Sequence, residues 1–359
     1  MKLLFTTLII CIFWMTPISA ANVAKLYETV VKVDDQSRKS RQEAMQSALR
    51  SVLIKVSGSV VVPNAPEMDS TIAKASRFVQ QYRYQKGEPI TVDGIQQPTI
   101  ALWIRFDQST IEKILKKGNF PIWGEARPLV LIWLAVEQNG ERLLVGESDR
   151  GLARTILEKE ATQRGIPIKL PLLDEVDQQQ LTAVDIWGQF EEKIASTAAR
   201  YGAQAVLTGR LFPIDGGHWQ VYWDLYRSGE HTHWQSQGTI VELLLSVGVD
   251  GAADRMAEQF ALNYGAESGR IELVINGIES FPQFDSIMGY LTALNGVKRV
   301  ILSSVMGNKA YFSIEAEGGV DAIKQRIALG KRLSYLEPAT EGVDVNSAQH
   351  SNTINYQLR

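Results

Sequence analysis

Residues 129–136, Leu-Val-Leu-Ile-Trp-Leu-Ala-Val, form an unbroken apolar run. A helix needs about 20 apolar residues to cross a bilayer, so a run this short reads as a strand. A half-buried strand alternates between apolar and polar residues, whereas one without alternation is covered on both faces. The chain around it must therefore supply helices to two sides of a sheet. Asn139-Gly140 is a pair suited to a two-residue hairpin turn and leads into a partner strand at 142–145. A helix capped by Ser148 or Asp149 carries Leu152, Ile156, Leu157 and Ala161 and closes at Gly165. A second helix carries Phe190, Ile194, Ala198 and Tyr201 and ends at Gly202. Strands are expected at 205–212, 219–226 and 232–241. A last helix bears Ala252, Ala253, Met256, Ala257, Phe260, Ala261 and Tyr264 and closes at Gly265. This order implies an α/β sandwich with a mixed sheet over 129–266.

The flanks have different rhythms. Residues 26–33 alternate as a half-buried strand does, and Asp34-Asp35 with Ser37 open a helix. Ala44, Met45, Ala48, Leu49, Val52, Leu53 and Val56 form one wide apolar stripe, opposite Arg38, Lys39, Glu43, Gln46 and Arg50. Ser57-Gly58 stops that helix. Ile72, Ala75, Phe78 and Val79 predict a second helix, 80–86 and 99–106 strands, and 109–117 a short helix. Residues 22–120 thus read as an α+β domain. Residues 121–128, Pro-Ile-Trp-Gly-Glu-Ala-Arg-Pro, have no periodicity and form a connection. From Arg270 onward a strand (271–275), a helix (284–294), strands at 297–305 and 310–316, a helix (320–329) and a strand (334–336) give β-α-β-β-α-β. That is the ferredoxin-like order, assigned to 267–337. Residues 338–359 are polar and aperiodic and are expected to be a disordered tail. The fold class is therefore α/β and α+β, in several domains.

The amino terminus bears on where the protein works. Lys2 precedes an apolar run from Leu3 to Met15, interrupted only by Thr6 and Thr7, and Pro17 and Ser19-Ala20-Ala21 follow. A positive start, a short apolar core and a small-residue exit make a secretory signal peptide over 1–21, with cleavage expected before Asn22. Cys11 is the single cysteine and lies inside that run, behind an Ile10 too bulky for lipoprotein processing. The mature chain would then contain no cysteine, which excludes disulfides, thiolate catalysis and Cys-ligated zinc. A formal net charge of -3 offers no footprint for nucleic acid, and 45% hydrophobic residues exclude a disordered protein. No segment after the signal is apolar enough to span a membrane, and the expected location is the periplasm.

Several local patterns recur together: Tyr27 with Val31 and Val33, Ala48-Leu49, Lys55-Val56-Ser57-Gly58, Trp123-Gly124, Arg127-Pro128, Trp133-Leu134-Ala135-Val136, Arg164-Gly165-Ile166-Pro167 leading to Leu170-Pro171-Leu172, and Asn276-Gly277-Ile278. On these the chain resembles the secreted proteobacterial family called domain of unknown function two thousand and sixty-six. The resemblance covers nearly the whole mature chain and implies an exported, uncharacterised cell-envelope protein, with no activity attached. Residues 200–211, Arg-Tyr-Gly-Ala-Gln-Ala-Val-Leu-Thr-Gly-Arg-Leu, are similar to the α/β domain of curli-secretion lipoproteins and to the amino-terminal domain of the Tol propeller protein. That likeness implies service in envelope assemblies rather than catalysis.

Chemistry-bearing patterns are sparse. His231 and His233 stand two apart on a strand and share a face, so both could reach one zinc or copper ion, with His218 or Asp224 as third ligand. Two histidines on a polar strand face are more often simply solvated. Gly146-Glu147-Ser148-Asp149-Arg150-Gly151 has one residue too many for a nucleophile elbow. Asp34-Asp35 and Glu191-Glu192 sit where helix N-termini favour negative charge. Gly216-Gly217 and Gly318-Gly319 lack phosphate-loop spacing, and Lys113, Lys116 and Lys117 end a helix. No catalytic, cofactor-binding or metal residue is assigned.

The favoured reading is a non-catalytic periplasmic protein that binds or scaffolds an envelope component. Its expected surface is the outward strand face holding Arg210, Tyr222, Tyr226, His231 and His233, since arginine and tyrosine are common at binding hot spots. Trp123, in a connection with no face of its own to fill, is expected to dock between the first two domains. The alternative is a metal-assisted hydrolase using His231 and His233. A small ligand held between the first and middle domains is a third option that no sequence pattern singles out.

Overall fold

The structure is a computed structural model that describes residues 21–92, 95–227, 229–261, 269–330, 332–336 and 353–359. It opens with a two-residue strand, β1 (Ala21–Asn22), and then β2 (Glu28–Val33). Ser37 caps α1 (Arg38–Ser57) by accepting the Ser40 N–H, and Gly58 closes it at φ 74°, a conformation costly for any residue with a Cβ. The expected stripe from Ala44 to Val56 is buried. The second helix lies earlier than expected: α2 spans Pro66–Ala73, and a 3₁₀ turn at Ala75–Phe78 feeds the chain into β3 (Val79–Lys86). A hairpin of β4 (Ile90–Val92) and β5 (Ile95–Gln97) has no counterpart in the sequence pattern, and β5 is exposed along its length. Then come β6 (Ile100–Phe106) and α3 (Gln108–Lys117). The sheet β2-β6-β3 is antiparallel and packs Leu102, Ile104 and Phe106 against α1.

The connection contains β7 (Ala126–Arg127), paired with β1. It leads into β8 (Val130–Gln138), the strand of the apolar run, and β9 (Glu141–Val145). Asn139 and Gly140 between them have φ of 52° and 81°, as a turn with two left-handed residues demands. There follow α4 (Leu152–Arg164), β10 (Ile168–Lys169), α5 (Glu175–Gln180), α6 (Ala183–Trp187), α7 (Glu191–Tyr201), β11 (Ala205–Ile214), β12 (His218–Arg227), β13 (Glu230–Gly238) and α8 (Val241–Phe260). The sheet order is β10-β8-β11-β12-β13, with β9 also pairing with β8; β8 runs parallel to β10 and β11, and the other pairings are antiparallel. Val130, Ile132 and Leu134 enter one core beside residues of α4 and α8, while Leu131, Trp133 and Ala135 enter another beside residues of α6 and α7. The strand is thus covered on both faces. Three local expectations change. Gly151, not Ser148 or Asp149, is the N-cap of α4. The short helices α5 and α6 were missed, although Asp174 and the Thr182–Asp185 capping box announce them. Helix α8 begins where the preceding strand was expected to end, and Gly265 lies outside the described residues.

The third sheet is built from β14 (Gly269–Asn276), α9 (Phe281–Ala293), β15 (Val297–Met306), β16 (Lys309–Ala316), α10 (Gly319–Leu329) and β17 (Leu333–Leu336) in the expected order. The expected disordered tail is corrected at its far end. Thr353–Leu358 form β18, which lies between β14 and β17, parallel to the first and antiparallel to the second. Ile354 and Tyr356 are buried in the core, so β17 does not pair with β14 and the sheet has five strands, ordered β15-β16-β14-β18-β17. The reason is alternation: Thr-Ile-Asn-Tyr-Gln-Leu sends two large side chains inward.

One side chain ties the first two cores together. Arg127 is fully buried and, among the described residues, has no carboxylate partner. Its Nε donates to the Gly124 carbonyl (2.9 Å), Nη1 to those of Gly165 (2.7 Å) and Arg164 (3.3 Å), and Nη2 to those of Lys55 (2.6 Å) and Trp123 (2.8 Å). The carbonyls of Lys55, Arg164 and Gly165 belong to the C-terminal ends of α1 and α4, where unpaired carbonyls carry partial negative charge. Arg164 works in parallel: it donates to the Gly58 carbonyl (3.0 Å) and pairs with Asp250 (2.7 Å) and Asp254 of α8.

Two outcomes follow. Arg127→Met leaves five buried carbonyls without their donor and should cost about 3–5 kcal/mol in chemical denaturation. Ile354→Ala should cost about 2–5 kcal/mol in the same measurement, as for any large side chain removed from a core, whereas a tail outside the sheet would show no change.

Candidate functional site

The expected surface on the middle sheet is built by register. Alternation along β12 turns Val221, Trp223 and Leu225 toward α8, and Tyr222, Asp224 and Tyr226 to the opposite side. On β11, Arg210 stands beside Tyr222; on β13, His231 stands beside Tyr226 and His233 beside Asp224. The structure brings these residues together around a carboxylate that the sequence reading had given only a minor part. Asp224 is buried, with Oδ2 accepting from Arg210 Nη2 (3.0 Å) and Oδ1 lying 3.0 Å from His231 Nε2 and 3.1 Å from Gln189 Nε2. Gln189 reaches it from the α6–α7 loop with φ 54°, a left-handed conformation that a non-glycine residue adopts at a cost.

The face is only partly open. Tyr226 is buried beside residues of α7 and stacks on the His231 ring at 4.5 Å. Burial pushes its hydroxyl up to about 12, so it stays protonated at neutral pH. The Arg210 side chain is 14% exposed. Arg210 and Tyr226 therefore do not belong to a free surface, because the helical layer withdraws them. Tyr222, His231 and His233 are exposed. Beside them runs an aromatic row absent from the sequence reading. Arg142 lies 3.9 Å from the centroid of Trp187, Trp187 packs on Phe212 at 5.3 Å, Phe212 stacks on Tyr222 at 6.0 Å, and Arg210 lies 5.1 Å from the Tyr222 centroid. Trp187 ends a helix that went unread, so no sequence signal joined it to the strand residues.

What this arrangement can do chemically is limited. With a proton on Nε2, His231 would donate to Asp224 and keep the Nδ1 lone pair, the orientation that lets a carboxylate fix a histidine as a base. No described hydroxyl is bonded to that ring. The His233 ring is 6.1 Å from that of His231. His218 stands eight residues from Tyr226 along β12, roughly 26 Å at the rise of an extended strand. Among the described residues no group of three or more His, Cys, Asp or Glu could hold a metal ion.

Trp123 lies elsewhere, at the joint. It is buried in the middle core, its backbone N–H donates to the Val56 carbonyl (2.7 Å), and its ring is 4.2 Å from the Arg127 guanidinium carbon.

Asp224→Ala leaves the Arg210 charge without its counter-ion in a nearly closed site and should cost about 3–5 kcal/mol in thermal or chemical denaturation. His231→Ala, at a more exposed partner, should cost under about 1 kcal/mol.

Comparisons with known proteins are few. A family described as "Domain of unknown function (DUF8605)" matches residues 20–124, which is the first sheet and its helices through the start of the connection. No curated protein matches the chain. Among solved structures, the competence damage-inducible protein A (ComA) from Klebsiella pneumoniae subsp. pneumoniae is similar at 14% identity over 42% of this chain and 92% of that one, with a TM-score of 0.23. An uncharacterized protein is similar at 12% identity over 36% and 90%, with a TM-score of 0.17. Scores this low carry no argument about fold or function.

Proposed function

We propose that this is an exported periplasmic protein without catalytic activity, which binds an envelope protein through the open part of the middle sheet. The observation that carries the reading is the row Trp187–Phe212–Tyr222 with Arg142 stacked on Trp187. Aromatic and arginine side chains stacked on one another are preorganised, lose little rotamer freedom on docking, and are the residue types that dominate binding hot spots. Val184 of α6 and Phe190 at the start of α7 are also exposed. Beneath the row the buried Asp224 accepts from Arg210, whose guanidinium lies 5.1 Å from the Tyr222 ring centroid, a fixed support for that end of the row. Periplasmic residence rests on the leader-like first 21 residues, and the envelope partner on the resemblance noted in the sequence.

The Asp224–His231 contact favours a second reading, a hydrolase in which His231 acts as base. Its metal-assisted form with His233 is separated from the binding reading by elemental analysis of the purified protein: stoichiometric zinc or copper lost on His231→Ala would favour it.

The binding reading is tested by placing a photo-crosslinking residue at Tyr222 in living cells, with Tyr335 on the third sheet as the control. A single discrete adduct from position 222, absent from 335 and reduced about tenfold or more by Trp187→Ala, is the expected result. No adduct at 222, or equal adducts at both positions, would overturn it.

A further inference from the structure

Lys55 is a buried cation that forms no salt bridge among the described residues. The residue is 6% exposed, and its Nζ donates to one acceptor, the Glu28 carbonyl at 3.0 Å. Two acids lie near, and both are committed to other cations. The Glu28 carboxylate takes Nε and Nη2 of Arg105 at 2.9 and 2.7 Å, and Glu158 takes Nε of Arg154 at 2.8 Å. The other charged group acting on Lys55 at close range is Arg127, of the same sign. Among the described residues no carboxylate forms a salt bridge with Lys55. Withdrawing an ammonium from water without a direct ion pair is expensive, and among the described residues two of its three N–H donors find no acceptor.

Lys55 lines a cavity of about 370 Å³ between the first sheet's elements and α4. Its walls are largely apolar: Leu26 and Val23 from the segment before β2, Ala161 from α4, and Ile166, Pro167 and Ile168 after it. Lys25, exposed and held at φ 75°, adds a second cation at the cavity. A space with a buried ammonium and hydrocarbon walls matches one class of ligand.

We propose that this cavity binds a small amphiphilic monocarboxylate, with the carboxylate paired to Lys55 and the hydrocarbon chain against Leu26, Ala161, Ile166 and Pro167. The bound anion supplies the two missing hydrogen bonds and the missing charge. Charge-assisted pairing is strongest in a site closed to water, and the volume falls at the small end of ligand pockets. Burial above all, assisted by Arg127 and opposed by Glu28, lowers the Lys55 pKa, and a carboxylate would restore it. Because the walls come from two units, the ligand also braces their joint. The assignment is independent of the docking face on the middle sheet.

The probe is hexanoate, titrated into the purified protein by calorimetry, with 1-hexanol as its uncharged counterpart. Saturable one-to-one binding in the millimolar range or tighter is expected, with hexanol at least tenfold weaker. Lys55→Met should lose tenfold or more, and Lys159→Met, which changes a lysine outside this cavity, should not. Should Lys55→Met fail to fold, the unaltered protein still decides: hexanoate should slow acetylation of Lys55 by acetic anhydride, read by mass spectrometry, and leave Lys159 unprotected. Absence of saturable binding, equal binding of hexanol, undiminished binding by a folded Lys55→Met, or no protection of Lys55 overturns the proposal.

Discussion

Arg127 spends every N–H of its guanidinium on backbone carbonyls, and the rest of the architecture converges on that choice. Burial pulls its pKa down to about 9, which still leaves it cationic at neutral pH. The charge is tolerated because the carbonyls come from the ends of two helices, where backbone dipoles are uncompensated. A carboxylate partner would neutralise the cation but would join one residue to one residue. Carbonyls from Lys55, Trp123, Gly124, Arg164 and Gly165 instead lock the end of α1, the connection and the end of α4 into one geometry.

Local signals in the sequence gave a good account of local structure. Ser37 and Gly58 delimit α1 because both caps and the apolar stripe act within a few residues of each other. The beginning of α8 was unreadable for the opposite reason. Residues 240–251 are rich in β-branched residues and glycine, which disfavour helix, and Gly248 is there because the Trp223 ring presses against the helix; a Cβ would lie 2.3 Å from it. Only the tertiary contact explains the helix. Likewise, nothing near Thr353–Leu358 announces that one of the two strands they pair with lies some 80 residues earlier. Composition and period classified the fold correctly as α/β and α+β; long-range pairing supplied the corrections.

The candidate face shows the same division. Alternation put Tyr222, Asp224 and Tyr226 on one side of β12, and that was legible. How much of that side α6 and α7 would cover was not, because both the capping box at Thr182 and the Gln189 turn act from outside the strands. The sequence singled out the histidines by their spacing on one strand face, whereas the structure makes the aspartate between them and Arg210 the organising group. Lys55 was still less visible: it sits near the end of a helix where a cation is ordinarily a solvated complement to the dipole, and only its burial distinguishes it.

The position of β18 sets an order of assembly for the third sheet. Its neighbours β14 and β17 can be synthesised, and β14 can pair with β16, while the slot between them is still vacant. Closure waits until residue 358 has left the ribosome, and it then comes through contacts of long sequence separation, the slow kind. Until then β14 presents an unpaired backbone edge, which is the feature that invites mispairing between chains.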